Sequence, residues 1–164
     1  MVSFHESMME YKKQLDKGIV PLAYRGLMDY MQHLRAHFAG AYPDYFVSGS
    51  LYFGYMDMTY FSFIPPSLKQ LNLKPAIVFV HQALRFEIWL AAANKRVQLH
   101  YWNQFKERGW SAYPLVPNTQ GADAIIEHVL VSEPDFNDLD ALTGQIEQGA
   151  MAFIREVERF LAVG

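Results

Sequence analysis

The sequence predicts an α+β fold, in which helices pack on a central, mostly antiparallel sheet of four or five strands. Apolar residues recur at helical spacing at both ends of the chain, and aromatic and β-branched residues cluster in its middle. Short connections between the middle strands favour antiparallel pairing, although a crossover could leave the last strand parallel. With 164 residues, 51% of them hydrophobic, a single domain spanning residues 1–164 is expected.

Two helices are predicted at the N-terminus. Ser3 and Glu6 have the spacing of a capping box, and Gly18 is a natural end for the first helix. One face of this helix carries the apolar residues Phe4, Met8, Tyr11 and Leu15. Pro21 suits the first turn of a second helix. The inner stripe of that helix consists of Leu27, Met31, Leu34 and Phe38.

Strands are predicted in two regions of the middle segment. Tyr45 to Ile64 forms either one long bent strand or two shorter ones. Ala76 to Ala92 has the length of a hairpin that bends near Gln82 and Ala83, and a central strand without a bend is the alternative. Within this second region one face of the sheet carries Arg85, Glu87 and Trp89, and the other carries Leu84, Phe86, Ile88 and Leu90.

The C-terminal half adds a middle helix, a strand and a long final helix. Asn94 can cap the middle helix, which runs to Arg108. Ala124 to Val131 is predicted as the last strand, and Asn137 or Asp138 caps the final helix. The inward residues of the middle helix are Val97, Tyr101, Trp102 and Phe105. The stripe of the final helix is Leu139, Leu142, Ile146, Ala150, Phe153, Val157 and Phe160.

Composition excludes several classes of function. The net charge is −3 with no basic patch in the sequence, so a nucleic-acid partner is not expected. The chain has no cysteine, which excludes disulfides and thiolate chemistry and fits a reducing compartment. Neither a secretory signal nor a membrane span is predicted, and the expected location is the cytoplasm.

Motifs of common enzymes are also missing from the sequence. It contains no Gly-rich nucleotide-binding motif and no nucleophile elbow. His33 and His37 lie four residues apart on the second predicted helix, a spacing that can hold a metal ion. A zinc site needs at least one more protein ligand, and none is evident nearby, so a solvated helix face is the expectation. We therefore predict no metal site and no cofactor.

Three segments resemble a known family. They are Gly54-Tyr-Met-Asp-Met-Thr-Tyr-Phe-Ser-Phe63, Arg85-Phe-Glu-Ile-Trp-Leu90 followed by Asn94, and Pro134-Asp-Phe136 before a helix that contains Ile146-Glu147. Together they are similar to a family of small bacterial proteins that is catalogued only as a domain of unknown function. The similarity covers nearly the whole chain. It assigns no catalytic role to any residue.

Four polar residues are candidates for a functional site. Asp57, among Tyr55, Met56, Met58 and Tyr60, is either a general base or ligand acceptor in an aromatic cleft, or a turn residue whose carboxylate binds nearby amides. Arg85 beside Trp89 suits recognition of a carboxylate or phosphate. The alternatives for Arg85 and Glu87 are an exposed pair on a solvated face, or a satisfied buried pair if helices cover that face. His81 is either an acid–base group or a core histidine with one hydrogen bond.

These candidates lead to three hypotheses. The first is a small-ligand-binding or interaction module whose cleft is lined by Tyr55, Tyr60, Trp89, Tyr101 and Trp102, with Asp57 and Arg85 as polar anchors. The second is an enzyme that uses Asp57, His81 or Glu87 as acid and base, which requires two of them at a common cavity. The third is an assembly protein, such as a homodimer, that buries its surplus aromatic residues against a second copy.

Overall fold

A five-stranded antiparallel sheet with helices beside it forms the centre of the molecule, as the α+β prediction requires. The computed structural model describes residues 1–162. The helices in that part of the chain are α1 (Phe4–Asp16), α2 (Ile19–Ala41), α3 (Pro66–Lys69), α4 (Lys95–Glu107) and α5 (Leu139–Ala162). The strands are β1 (Phe46–Val47), β2 (Met58–Ile64), β3 (Leu73–Val80), β4 (Arg85–Ala92) and β5 (Ile126–Val131).

The strands lie side by side in the order in which they occur along the chain. Each pairs antiparallel with the next, so the last strand is antiparallel and not a crossover strand. The region from Tyr45 to Ile64 contains two strands, and the predicted hairpin joins β3 to β4. Its four-residue connection includes Gln82 and Ala83, and it ends at Leu84, whose φ is +53°.

Local capping signals fix the N-terminal ends of three helices. The Ser3 hydroxyl accepts a hydrogen bond from the amide of Glu6, and the Glu6 carboxylate accepts one from the amide of Ser3, which confirms the capping box. Asn94 caps α4 by accepting a hydrogen bond from the amide of Val97. Of the two candidates before α5, Asp138 accepts the capping hydrogen bond, from the amide of Ala141. These interactions are local, which is why the sequence pattern predicts them.

The hydrophobic core lies on one face of the sheet. Phe38 of α2 packs against Phe61 and Phe63 of β2, with ring centroids 6.0 and 4.7 Å apart. From α5, Phe153 stacks on His128 of β5. The predicted stripes of α2 and α5 are largely buried, although Leu139 at the start of α5 is exposed. Helix α1 differs, because no residue of its apolar face is buried by the rest of residues 1–162.

Candidate functional site

The second face of the sheet carries a mixture of polar, small and aromatic side chains. Cross-strand pairing puts Tyr60, Val78 and Glu87 in one row across β2, β3 and β4. The next row contains Ser62, Ala76, Trp89 and Glu127. Ala76 and Val78 are buried, yet neither belongs to the core cluster formed with the helices. We call this surface the open face.

Glu87 is the most unusual residue of the open face. It is only 4% exposed, although it lies on the face opposite the main core. Its Oε2 accepts a hydrogen bond from Nε of Arg85 at 2.7 Å, and its Oε1 accepts one from the indole Nε1 of Trp89 at 2.8 Å. Both carboxylate oxygens are therefore used to hold neighbouring side chains in position. The side chain of Arg85 remains 40% exposed, and it makes no further hydrogen bond within residues 1–162.

A concavity of about 300 Å³ lies on the open face beside these residues. Tyr60 and Trp89 are its aromatic residues. Ala76 lies on β3, between the strands that carry them, and Ala91 follows Trp89 by two residues on β4. Its lining residues are Met58, Tyr60, Ser62, Lys74, Ala76, Val78, Trp89, Ala91, Ala92 and Asp123. Arg85 lies in the cross-strand row of Val80 and Met58, beyond the row of Tyr60. Aromatic and small apolar groups thus lie between Arg85 at one end and Lys74 at the other.

Acidic groups accumulate along one side of the open face. Burial raises the pKa of Glu127, and the charges of Glu87 and Asp123 raise it further. Arg85 opposes this shift. The only positive charge among the groups that shift this pKa is therefore that of Arg85, which is held by Glu87.

Asp57 belongs to a turn and not to the concavity. Its Oδ1 accepts hydrogen bonds from the backbone amides of Tyr55 and Met58, both at 2.8 Å. These two bonds, that of Tyr55 first, lower the pKa of the Asp57 carboxyl. Tyr55 is 88% exposed and does not line the concavity. The contacts of Asp57 are those of the turn alternative, and its expected position as an anchor beside Arg85 is not observed.

His81 lies on the helix side of the sheet. Its Nε2 is 2.8 Å from Oγ1 of Thr59, which is fully buried, and its ring stacks on Tyr24 of α2. The Thr59 hydroxyl also bonds to the carbonyl of Phe53 at 2.7 Å, which can only accept, so Nε2 of His81 must donate if both bonds form. Burial lowers the pKa of His81, and the charge of Asp57 opposes that shift.

Tyr101 and Trp102 were expected in the same cleft, and the structure separates them from it. Both lie on α4, pack against the core cluster and do not line the concavity. The Trp102 indole donates to the carbonyl of Val116, and Lys106 lies over its ring. Of the predicted lining residues, only Tyr60 and Trp89 share the concavity, because alternation along β2 and β4 directs both to the open face.

A second polar cluster, which the sequence did not predict, joins α2 to α5. Nε2 of His37 is 2.7 Å from Oε1 of Glu147, and the hydroxyl of Tyr42 donates to Oε2 at 2.7 Å. Burial, followed by this hydrogen bond, raises the pKa of Tyr42 to about 12. For Glu147, burial alone would raise the pKa, but the bonds from His37 and Tyr42 outweigh it and lower the pKa.

Two members of this cluster, His37 and Glu147, line a cleft of about 540 Å³ together with His33 and Asp140. His37 is thus partnered by a carboxylate and is not simply a solvated residue. Within residues 1–162, no group of three or more His, Asp or Glu side chains is arranged to hold a metal ion. The sequence signal that could have revealed the cluster is Glu147 itself, which lies in one of the segments carrying the family resemblance.

The fold and the open face define an α+β protein with a polar and aromatic sheet surface. The chain belongs to the family described as Domain of unknown function (DUF7000), whose model matches residues 4–161. Comparison with curated proteins and with solved structures gives no match. No helix in the described part of the chain has the length and apolar character needed to cross a membrane.

Proposed function

We propose that the protein binds a small organic anion with a flat apolar body on the open face of its sheet. The observation that supports this most directly is the pair of hydrogen bonds that Glu87 accepts. Its buried carboxylate accepts one hydrogen bond from Arg85 and one from Trp89. These bonds hold in place two side chains of types that ligands commonly contact. Preorganisation of this kind reduces the entropy lost when a ligand binds.

The shape and chemistry of the concavity favour this class of ligand. Tyr60 and Trp89 offer ring surfaces, and Ala76 and Ala91 keep the space between them shallow and apolar. Because Nε of Arg85 is already bound to Glu87, its terminal nitrogens are the ones left for a carboxylate or phosphate. The volume of about 300 Å³ is at the lower end of ligand-pocket sizes, which argues for a small molecule.

The arrangement of the acid–base candidates supports binding over catalysis. His81 contacts Thr59 and Tyr24 on the helix side, whereas Glu87 lies on the open face. The Asp57 carboxylate is engaged by two backbone amides of its own turn. An enzyme built on these three groups needs two of them at one cavity, and none of the three lines the concavity of the open face or the cleft between α2 and α5.

The test is a thermal-shift screen with small aromatic carboxylates and phosphates, each paired with a neutral amide or alcohol of the same shape. We expect some of the anions to raise the melting temperature of the wild type, because a ligand that binds only the folded state stabilises it. Arg85→Ala should lose this shift, whereas Arg25→Ala, which removes an exposed arginine of α2, should keep it. A screen without hits, or equal shifts for wild type and Arg85→Ala, would contradict the proposal.

The proposed location of the protein is the cytoplasm. A chain of 164 residues without cysteine fits a reducing compartment.

A further inference from the structure

Helix α1 and the first turn of α2 present an apolar surface that the rest of residues 1–162 does not cover. We call it the N-terminal surface. It consists of Phe4, Met8, Tyr11, Leu15, Ile19, Val20 and Leu22, which are between 37% and 83% exposed. None of the residues of α1 is buried. A capped helix with an apolar face and no buried residue is unusual, because amphipathic helices gain most of their stability from packing.

Local interactions alone give α1 only marginal stability. The helix has 13 residues, and isolated helices shorter than about 12–15 residues are marginal in water even with favourable sequences. The capping box and the Lys12–Asp16 pair add only modest stability at such exposed positions. Packing of the N-terminal surface against another molecule would supply the missing stabilisation.

The spacing of the apolar face is the same when read from either end. Phe4, Met8, Tyr11 and Leu15 are separated by four, three and four residues. Two copies of α1 placed antiparallel about a twofold axis therefore pair Phe4 with Leu15 of the second copy, and Met8 with Tyr11 of the second copy. Such a surface is complementary to itself, which is the requirement of a twofold-symmetric interface.

The charges of α1 also favour a second copy over other occupants. Glu6, Glu10 and Asp16 are balanced by Lys12, Lys13 and Lys17, so the helix lacks the cationic character of helices that bind anionic membranes. At about 100° per residue, Glu6 and Lys13 lie on the side of α1 away from the apolar face. The antiparallel arrangement brings His5 beside the Lys12–Asp16 pair of the second copy. No row of like charges on one helix therefore faces a row of the same sign on the other.

The amount of apolar surface is sufficient for a stable dimer. Seven large apolar side chains at these exposures offer an area on the order of the ~800 Å² that each partner buries in a standard interface. Single exposed apolar residues are ordinary, but four that share one face of a helix form a continuous stripe, and exposed apolar stripes of this kind mark interaction sites.

We infer that the N-terminal surface joins two copies of this chain through antiparallel pairing of their α1 helices. This interface shares no residues with the open face, so a test of the dimer does not depend on whether the proposed ligand binds.

The first experiment measures the mass of the full chain in solution by light scattering and sedimentation. We expect a dimer for the wild type, a monomer for Met8→Glu, and a dimer for Met9→Glu, because Met9 points about 130° away from the apolar face. Thermal unfolding of each variant serves as a folding control, since the substituted side chains lie outside the core. A monomeric wild type would overturn the inference, and so would equal effects of the two substitutions.

A second experiment tests the antiparallel register. Because the chain has no cysteine, Phe4→Cys and Leu15→Cys each introduce a single thiol. Under mild oxidation, a mixture of the two variants should form disulfide-linked dimers. Either variant alone should form far fewer, because the antiparallel pairing leaves like positions 11 residues, or about 16 Å, apart along the helix axis. Efficient cross-linking of Phe4→Cys to itself would overturn the antiparallel arrangement. Binding of a monomeric wild type to anionic phospholipid vesicles would overturn the choice of a second copy.

Discussion

Glu87 occupies a position in which a carboxylate is seldom found. It is almost fully buried on the sheet face that lies away from the core, and two neighbours on the same strand satisfy both of its oxygens. Buried charges are costly unless they are paired and hydrogen-bonded. Arg85 supplies the opposite charge for Glu87, and the indole of Trp89 supplies a second hydrogen bond. The side-chain period of two already places the three residues on one face.

Replacing Glu87 by leucine tests this role. Glu87→Leu leaves the indole N–H of Trp89 without its acceptor and Arg85 without its counter-charge. We expect the free energy of unfolding to fall by about 1–3 kcal/mol, measured by urea denaturation. The control is Glu127→Leu on the same face, whose carboxylate makes no hydrogen bond within residues 1–162, and which should change stability by no more than about 0.5 kcal/mol. Equal effects would show that Glu87 has no special structural role.

His128 gives the molecule a predictable response to pH. Its ring lies between Tyr113 and Phe153, and burial lowers its pKa, with the charge of Glu87 opposing the shift. Because the folded state binds the proton less readily than the unfolded state, His128 costs stability as the pH falls below its ordinary value of 6.5. His81, whose pKa is also lowered by burial, adds to the same trend.

His128→Phe should keep the stacked ring and remove this titration. We expect the loss of unfolding free energy on going from pH 8 down through 6.5 to be smaller in the variant than in the wild type. Urea denaturation at several pH values measures the difference, and the comparison at pH 8 controls for changes in packing. The same pH dependence in both proteins would contradict the assigned pKa direction.

At the scale of elements, the turn before β2 is tightly constrained at Gly54. Gly54 has a φ of +77°, and a Cβ at this position would lie 2.0 Å from the carbonyl oxygen of Met58 and 2.8 Å from Oδ1 of Asp57. The backbone oxygen cannot move away without disturbing β2. The Asp57 carboxylate then closes the turn through its two amide contacts.

Substituting this glycine should therefore destabilise the protein. Gly54→Ala is expected to lower the unfolding free energy by more than about 1 kcal/mol, since it combines a steric clash with an unfavourable φ. Gly49→Ala, where nothing lies within 4 Å of the added Cβ, should be tolerated. Thermal unfolding of the two variants measures the contrast. A Gly54→Ala protein as stable as Gly49→Ala would show that the turn can rearrange.

The elements themselves were largely predictable, because their signals are local. The capping box at Ser3, the hairpin between β3 and β4 and the Asn94 cap all depend on residues close together in sequence. The face of the sheet that the helices cover was not predictable, because it depends on how distant elements pack. This is why Tyr101 and Trp102 were expected near Trp89 and lie instead beside the core.

The same limit applies to the cluster of His37 and Glu147, whose side chains meet across 110 residues of sequence. A single sequence gives no sign that α2 and α5 approach each other at this point. The candidate site was predictable only in part. Tyr60 and Trp89 do share a concavity, and Arg85 lies in the same cross-strand row as Met58, one of its lining residues, whereas Asp57 and Tyr55 belong to a neighbouring turn.

On the scale of the whole molecule, the open face and the N-terminal surface are the two surfaces that we assign to contacts with other molecules. The open face is polar and aromatic and contains a concavity, whereas the N-terminal surface is apolar and belongs to a single projecting helix and the turn that follows it. Because their chemistries differ, we propose different occupants for them, a small anion for the first and a second copy of the chain for the second. Variants of one surface should leave the other unaffected, because the two sets of residues do not overlap.

The most direct test of ligand binding on the open face is an NMR titration that follows the indole N–H signals of the three tryptophans. With an anion that stabilises the protein, we expect the signal of Trp89 to shift in a saturable manner. The signals of Trp102 and Trp110, whose indoles donate to backbone carbonyls elsewhere, should stay in place. A titration that shifts Trp102 or Trp110 and leaves Trp89 unchanged would contradict binding on the open face.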